Sequence, residues 1–296
     1  MALVATLVAN PSNPVLTPAL AERAADAVAS SRLYWLADGI ACDIPIPDGT
    51  DAAEAERRMR EIIAGQPVDV AVQDAETRRK SFLIADMDST MIGQECIDEL
   101  AAEVGLKEKV SEITARAMNG EIAFEPALRE RVALLRGLPI TVVDEVIEKR
   151  ITLTPGGREL IATMKARGGY TALVSGGFTV FTNRIGATLG FDENRANILI
   201  ESDGCLTGAV AEPILGRQAK VDALLDIARM LGISPEDTIA VGDGANDLGM
   251  LGIAGSGVAL HAKPAVAAEA SIRIDHGDLT ALLYLQGYRK TDFVTG

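Results

Sequence analysis

The sequence predicts an α/β protein: a doubly wound, mostly parallel sheet of Rossmann type with an inserted helical cap, preceded by a small α+β domain. Three observations carry this. From Pro155 onward, short apolar runs alternate with segments of helical period, and the runs end in glycine or polar residues. Residues 96–150 keep helical period almost throughout. The first 75 residues read β-α-β-β-α-β, the ferredoxin-like order. At 296 residues and 48% hydrophobic, the chain can fill two cores and an insertion.

The elements follow in order. Ala2–Ala9 reads as a strand and Thr17–Ala29 as a helix. Arg32–Ala37 and Ile40–Ile46 are joined at Asp38-Gly39, a hairpin signal. Helix Asp51–Ala64 stops at Gly65, and Val68–Val72 closes the module as a strand, with Asp74–Lys80 as linker. At this coarse level residues 1–75 resemble ACT-type regulatory domains. Homodimerisation and binding of a small regulatory ligand are the expected roles, and a structural subdomain that binds nothing is the alternative. The catalytic core is expected over 76–95 and 151–296. The cap is expected over 96–150, with Ile97, Leu100, Ala101 and Val104 forming one apolar stripe and Leu128, Val132 and Leu135 another. Within the core, helix 157–167 stops at Gly168-Gly169, and strand Tyr170–Val174, helix 178–189 and a hairpin at Asp203-Gly204 come next. Helix 217–231, strand Thr238–Val241, helix 246–253, strands Gly257–Leu260 and Ser271–Ile274 and a helix from Asp278 complete it.

Composition narrows the function. A net charge of −14 disfavours nucleic acid and anionic membrane as partners, while a local cationic pocket or a metal could still receive a small anion. No apolar run approaches the length of a membrane span, and the apolar start lacks a basic n-region. Cys42, Cys96 and Cys205 are odd in number and scattered, which fits reduced thiols and a cytoplasmic setting.

The chemistry collects at strand ends. Phe82-Leu83-Ile84-Ala85 reads as a buried strand running into Asp86-Met87-Asp88-Ser89-Thr90, and ligands of open α/β sheets sit beyond such carboxyl ends. A lone D-x-D is more often a turn or a helix cap. Two further ends shift that balance. Strand Tyr170–Val174 runs into Ser175-Gly176-Gly177, a hydroxyl with free backbone N–H groups suited to an anion. Strand Thr238–Val241 runs into Gly242-Asp243-Gly244-Ala245-Asn246-Asp247, a set of hard oxygen donors suited to Mg²⁺. Rival motifs fail: Asp247 stands where a dinucleotide site wants its third glycine, and the P-loop pattern is absent. Thr90 and Met91 break an EF-hand, and His261 and His276 build no triad. Catalysis would then rest on carboxylates, and a carboxylate nucleophile is chemically sound for phosphoryl transfer through an aspartyl-phosphate. Lys220, alone, is an ordinary helix residue.

D-M-D-S-T, S-G-G, a lysine and G-D-G-A-N-D stand in the order of the haloacid dehalogenase superfamily, which the chain resembles. The stretches D-M-D-S-T-M-I-G-Q-E-C-I-D-E-L-A, A-M-N-G-E-I-A-F, R-V-A-L-L-R-G-L-P and V-S-G-G-F narrow the likeness, over about Ser81 to Tyr288, to the phosphoserine phosphatases. That resemblance implies Asp86 as nucleophile and Asp88 as general acid, then base. It implies Mg²⁺ on the carboxylates of Asp86 and Asp243 and the carbonyl of Asp88, with Asp247 in support. Phosphate would meet Ser175, Gly176, Lys220 and Asn246, beside Gly177. Glu95 would face the ammonium of O-phospho-L-serine and Arg131 its carboxylate, while Met118 and Phe124 screen the pocket. Read bare, Glu95 is a helix-terminal carboxylate and Arg131 pairs with Glu125 or Glu130 on a solvated face. Phosphotransfer to homoserine, hydrolysis of another phosphomonoester and a regulator without catalysis are the rival functions.

Overall fold

The structure, a computed structural model, describes residues 2–119 and 121–295. Two compact units divide the chain: Met1–Ser81 with Pro155–Gly169 and Ile272–Gly296, and Phe82–Thr154 with Tyr170–Ser271. Two segments read from sequence as core, 155–169 and 272–296, thus cluster with the N-terminal residues.

In the first unit, strands β1 (Leu3–Ala9), β2 (Tyr34–Ala37), β3 (Ala41–Pro45) and β4 (Val68–Asp74) form an antiparallel sheet of order β2-β3-β1-β4. Helices α1 (Pro18–Ala27) and α2 (Ala52–Ile63) complete the ferredoxin-like pattern. Thr17 and Asp51 cap them by accepting from the N–H groups of Leu20 and Glu54. Alternate β1 residues Ala5, Leu7 and Ala9 pack with Leu20, Ala24, Met59 and Ile63 from the helices. The opposite face is buried too. Thr6 lies there, donating to Asp43 Oδ1 at 2.8 Å, and Arg78 donates to both oxygens of Asp43. Asp69 accepts from the backbone N–H groups of Asp275, His276 and Gly277.

In the second unit, parallel strands run in the order β11 (Ser256–Leu260), β10 (Thr238–Gly242), β5 (Phe82–Ala85), β6 (Tyr170–Phe178), β7 (Glu193–Asn197). A parallel sheet is covered on both faces, which explains the unbroken apolar runs of β5 and β10. Strand β7 escapes sequence reading because it is polar and half-buried. Its Glu193 accepts from Tyr170 Oη and its Asn194 from Thr182 Oγ1, so side-chain hydrogen bonds replace apolar burial. The predicted hairpin at Asp203-Gly204 is present as β8 (Leu199–Ser202) and β9 (Cys205–Val210).

The insertion forms helices α3 (Cys96–Glu103), α4 (Lys107–Met118), α5 (Phe124–Ala133) and α6 (Val142–Arg150). It leaves and rejoins the sheet through adjacent segments: Ile92 bridges Leu153, and Gly93 N donates to Thr152 O. Helix α7 (Gly157–Ala166) belongs to the first unit, and α8 (Thr179–Leu189) and α9 (Arg217–Leu231) to the second. Among the described residues no helix is long and apolar enough to cross a membrane.

Candidate active site

Parallel register builds the site. Ala85 pairs with Val241 on one side and Leu173 on the other, and Asp86 N donates to Val241 O at 3.0 Å. One residue beyond Ala85 stands Asp86, and two beyond Val241 and Leu173 stand Asp243 and Ser175, so three polar side chains meet at one sheet edge. A tight turn at Met87–Met91 then reverses the chain, with Ser89 in the left-handed region at φ 54°. This geometry lets Ser89 Oγ donate to Glu95 Oε1 at 2.7 Å. Ser175-Gly176-Gly177 continues β6, and the following helix starts only at Thr179, capped by Phe178. The two glycines therefore lie in the strand and do not open that helix. They instead allow close approach: a Cβ on Gly177 would lie 2.6 Å from Asp88 Oδ2, and one on Gly176 2.8 Å from the Phe124 ring.

Lys220, fully buried on α9, is the hub of charge. Its Nζ lies 2.8 Å from Asp86 Oδ1 and 2.6 Å from Asp247 Oδ1. Asp247 uses its other oxygen to accept from the N–H groups of Asp243 and Gly244, which fixes the loop after β10. Oxygens of Asp86, Asp243 and Asp247 lie within 4.8 Å of one another. Asp243 Oδ2 is buried without a hydrogen bond; Lys263 Nζ stands 3.4 Å from it. An all-oxygen donor set with an orphaned carboxylate oxygen fits a hard divalent cation. Asp247, with both oxygens engaged, is suited to holding Lys220 and the loop rather than to direct ligation.

Asp88 Oδ1 accepts from Cys96 N at 3.0 Å, at the N-terminus of α3, and its Oδ2 lies 3.4 Å from Ser175 Oγ. Glu95, just before α3, and Phe124 and Arg131 on α5 line a cavity with Asp86, Asp88, Gly176 and Asn246, whose buried Oδ1 has no hydrogen-bond partner. The Met118 side chain lies outside the described residues. Arg131 is buried and bonds Ala127 O and Thr114 Oγ1, not Glu125 or Glu130, so it is no solvated surface residue.

Burial and mutual repulsion set the protonation. Asp86 is raised well above the usual carboxylate range by burial and by Asp247 and Asp243, with Lys220 opposing. Burial also raises Asp88, against its bonds from Cys96. Burial and Asp247 push Asp243 up to about 7; burial and Asp88 push Glu95 up to about 8. Burial works against the charge of Lys220, yet Asp247 and Asp86 keep it above the ordinary lysine value. A site so rich in carboxylates calls for a further cation before it receives a phosphate dianion.

Sequence reading missed Ser89, Lys263, Thr114 and Asp98. Lys263 was accessible by the strand-end rule, since it follows β11, the neighbour of β10. Its backbone N–H also donates to Asp243 O. The φ of Ser89 and the cross-helix partners of Arg131 leave no local signal.

Comparison with known proteins agrees with this geometry. Residues 83–252 match the haloacid dehalogenase-like hydrolases. A phosphoserine phosphatase of Polaromonas sp. is 45% identical over 230 residues, 76% of this chain and 98% of that protein. A solved structure of the phospho-aspartyl intermediate analogue of phosphoserine phosphatase matches at 46% identity and a TM-score of 0.67, over 70% of this chain and 98% of that one. A HAD family hydrolase from Salmonella enterica serovar Typhi matches over 96% of this chain and 98% of its own, at 30% identity and a TM-score of 0.84.

Proposed function

The chain belongs to the haloacid dehalogenase-like hydrolases, and on that premise we propose that it is a Mg²⁺-dependent phosphatase converting O-phospho-L-serine to L-serine and phosphate. One observation carries the choice of substrate. The cavity that holds Asp86 and Asp88 is closed on its cap side by one carboxylate, Glu95, and one buried guanidinium, Arg131. An amino acid's ammonium and carboxylate complement that pair, and its phosphorylated side chain would reach the aspartates.

In the first step Asp86 attacks phosphorus, an acyl-phosphate bond forms, and the bond from phosphorus to the seryl oxygen breaks. Asp88, whose protonated form burial favours, gives its proton to that oxygen. In the second step Asp88 takes a proton from water, which attacks the same phosphorus and releases phosphate from Asp86. Ser175 Oγ, the N–H of Gly176, Lys220 and Asn246 hold the phosphoryl oxygens, and Gly177 N fixes Ser175 by donating to its Oγ at 2.9 Å. Mg²⁺, held by Asp86, Asp243 and the Asp88 carbonyl, would supply positive charge to the phosphate and keep Asp86 ionised. Phe124, packed on Gly176, keeps bulk water from the reacting atoms.

We place this reaction in the cytoplasm, as the last step of serine biosynthesis. Residues 76–95 and 151–296 would serve as catalytic core, 96–150 as cap, and 1–75 as a dimerisation module open to feedback by L-serine. Serine titration of the full chain, followed by kinetics and sedimentation, tests that last role; unchanged rate and mass at saturating serine would remove it. Phosphate release from L- and D-phosphoserine, phosphothreonine, phosphoethanolamine and phosphohomoserine, with Mg²⁺ or with chelator, tests the main reading. The expected result is a strong, Mg²⁺-dependent preference for phosphoserine. Equal rates across the panel would overturn it.

A further inference from the structure

Arg131 is a cation buried to 5% exposure that forms no direct ion pair with any carboxylate among the described residues. Its Nε donates to Ala127 O at 3.1 Å on its own helix, and its Nη1 to Thr114 Oγ1 at 2.9 Å on α4. Thr114 Oγ1 lies 2.7 Å from Asp98 Oδ1 on α3, and Ser111 Oγ lies 2.6 Å from Asp98 Oδ2. A guanidinium only donates, so Thr114 must accept from Arg131. The single hydroxyl proton is then available for the carboxylate, at a distance shorter than its 3.0 Å to Val110 O. All three side chains are buried, so this chain of bonds runs in a low-dielectric interior.

We infer that Thr114 and Asp98 are positioning residues for substrate discrimination: they hold the Arg131 guanidinium in the cavity wall and balance its charge through Nη1, leaving Nη2 with no hydrogen bond among the described residues. A direct Asp–Arg pair would hold the guanidinium in a fork of its own. The intervening hydroxyl keeps the carboxylate one side chain away, and leaves Arg131 free to pair with the carboxylate of an amino-acid substrate. Three cap helices thereby converge on one specificity contact. This inference rests on the phosphoserine reading above, in which Arg131 meets that carboxylate.

The test compares O-phospho-L-serine with phosphoethanolamine, which keeps the phosphate and ammonium but lacks the carboxylate. Thr114→Val removes the hydroxyl at constant shape, Thr114→Ser restores it, and Asp98→Asn removes the charge. Thr114→Val should lower the ratio of kcat/KM values, phosphoserine over phosphoethanolamine, by roughly tenfold, mainly through KM for phosphoserine. Phosphoethanolamine turnover should stay within about twofold, which also reports that the variant is folded. Thr114→Ser should recover the ratio, and Asp98→Asn should lower it. A purely structural role would depress both substrates together, and that result, or an unchanged ratio in Thr114→Val and Asp98→Asn, overturns the inference while the phosphoserine reading stands. Wild-type protein that shows no preference for phosphoserine over phosphoethanolamine would overturn both.

Discussion

Replacing Lys220 by Met should destabilise the metal-free protein severely, and most of all at high pH. The side chain is fully buried, and its Nζ lies 2.8 Å from Asp86 and 2.6 Å from Asp247. Methionine fills similar volume, so packing is largely kept and the lost term is charge. Removing one partner of a buried pair costs about 3–5 kcal/mol, because the remaining carboxylates stay desolvated and uncompensated. Three of them share this spot within 4.8 Å. For a domain of this size that loss lowers Tm by roughly 6–20 °C. Protonation relieves it: as pH falls below the raised Asp243 value of about 7, Asp243 takes up a proton, repulsion among the carboxylates drops and the gap to wild type should narrow. Added Mg²⁺ should narrow it as well, because without Lys220 the carboxylate cluster carries one more net negative charge and binds the cation more tightly than wild type does, each tenfold in Kd being worth about 1.4 kcal/mol at saturation. Urea denaturation in chelator, followed by circular dichroism at pH 5.5 and 8, reads all of this. A loss below about 1 kcal/mol at pH 8, or a larger loss at pH 5.5, would refute the reasoning.

Other consequences follow from the same geometry. Wild-type, metal-free protein should lose stability as pH rises from about 5 to 8, because folded Glu95 and Asp243 keep protons, at about 8 and about 7, that the unfolded chain has released; urea midpoints that climb over this range would contradict it. Gly177→Ala should cut kcat by roughly 10²–10⁴-fold, since the new Cβ falls 2.6 Å from Asp88 Oδ2 and displaces the proton donor; steady-state kinetics with near-normal kcat would show Asp88 to be dispensable. Lys263→Met should tighten Mg²⁺ binding by roughly five- to tenfold, the effect of removing a partly solvated charge of about 1 kcal/mol near Asp243. Calorimetric titration checks this, and weaker binding would make Lys263 a support for the metal rather than its competitor.

What was legible in the sequence was what local pattern controls. The apolar run Phe82–Ala85 announced a buried strand, and strand-end placement then drew attention to Asp86, Ser175 and Asp243, which parallel register does bring to one edge. Glycine and Asp-Gly signals marked helix ends and hairpins well, as at Gly65, Gly168 and Asp203-Gly204. Long-range association was not legible. Nothing local tells Asp69 that it will accept from three N–H groups at 275–277, so the clustering of residues 272–296 with the N-terminal module was missed. Strand β7 was missed because Glu193, Asn194 and Arg195 satisfy themselves through polar bonds. Arg131 looked like a surface residue on its own helix until Thr114 and Asp98, from two other helices, surrounded it.

A rapid acid quench of the protein turning over L-phosphoserine labelled in the phosphoryl group would decide whether Asp86 is the nucleophile. The proposed chemistry predicts a covalent label, stable to acid and discharged by hydroxylamine, on the peptide that carries Asp86. Asp86→Asn should carry no label and show no turnover. Turnover by Asp86→Asn, or label on another residue, would contradict it.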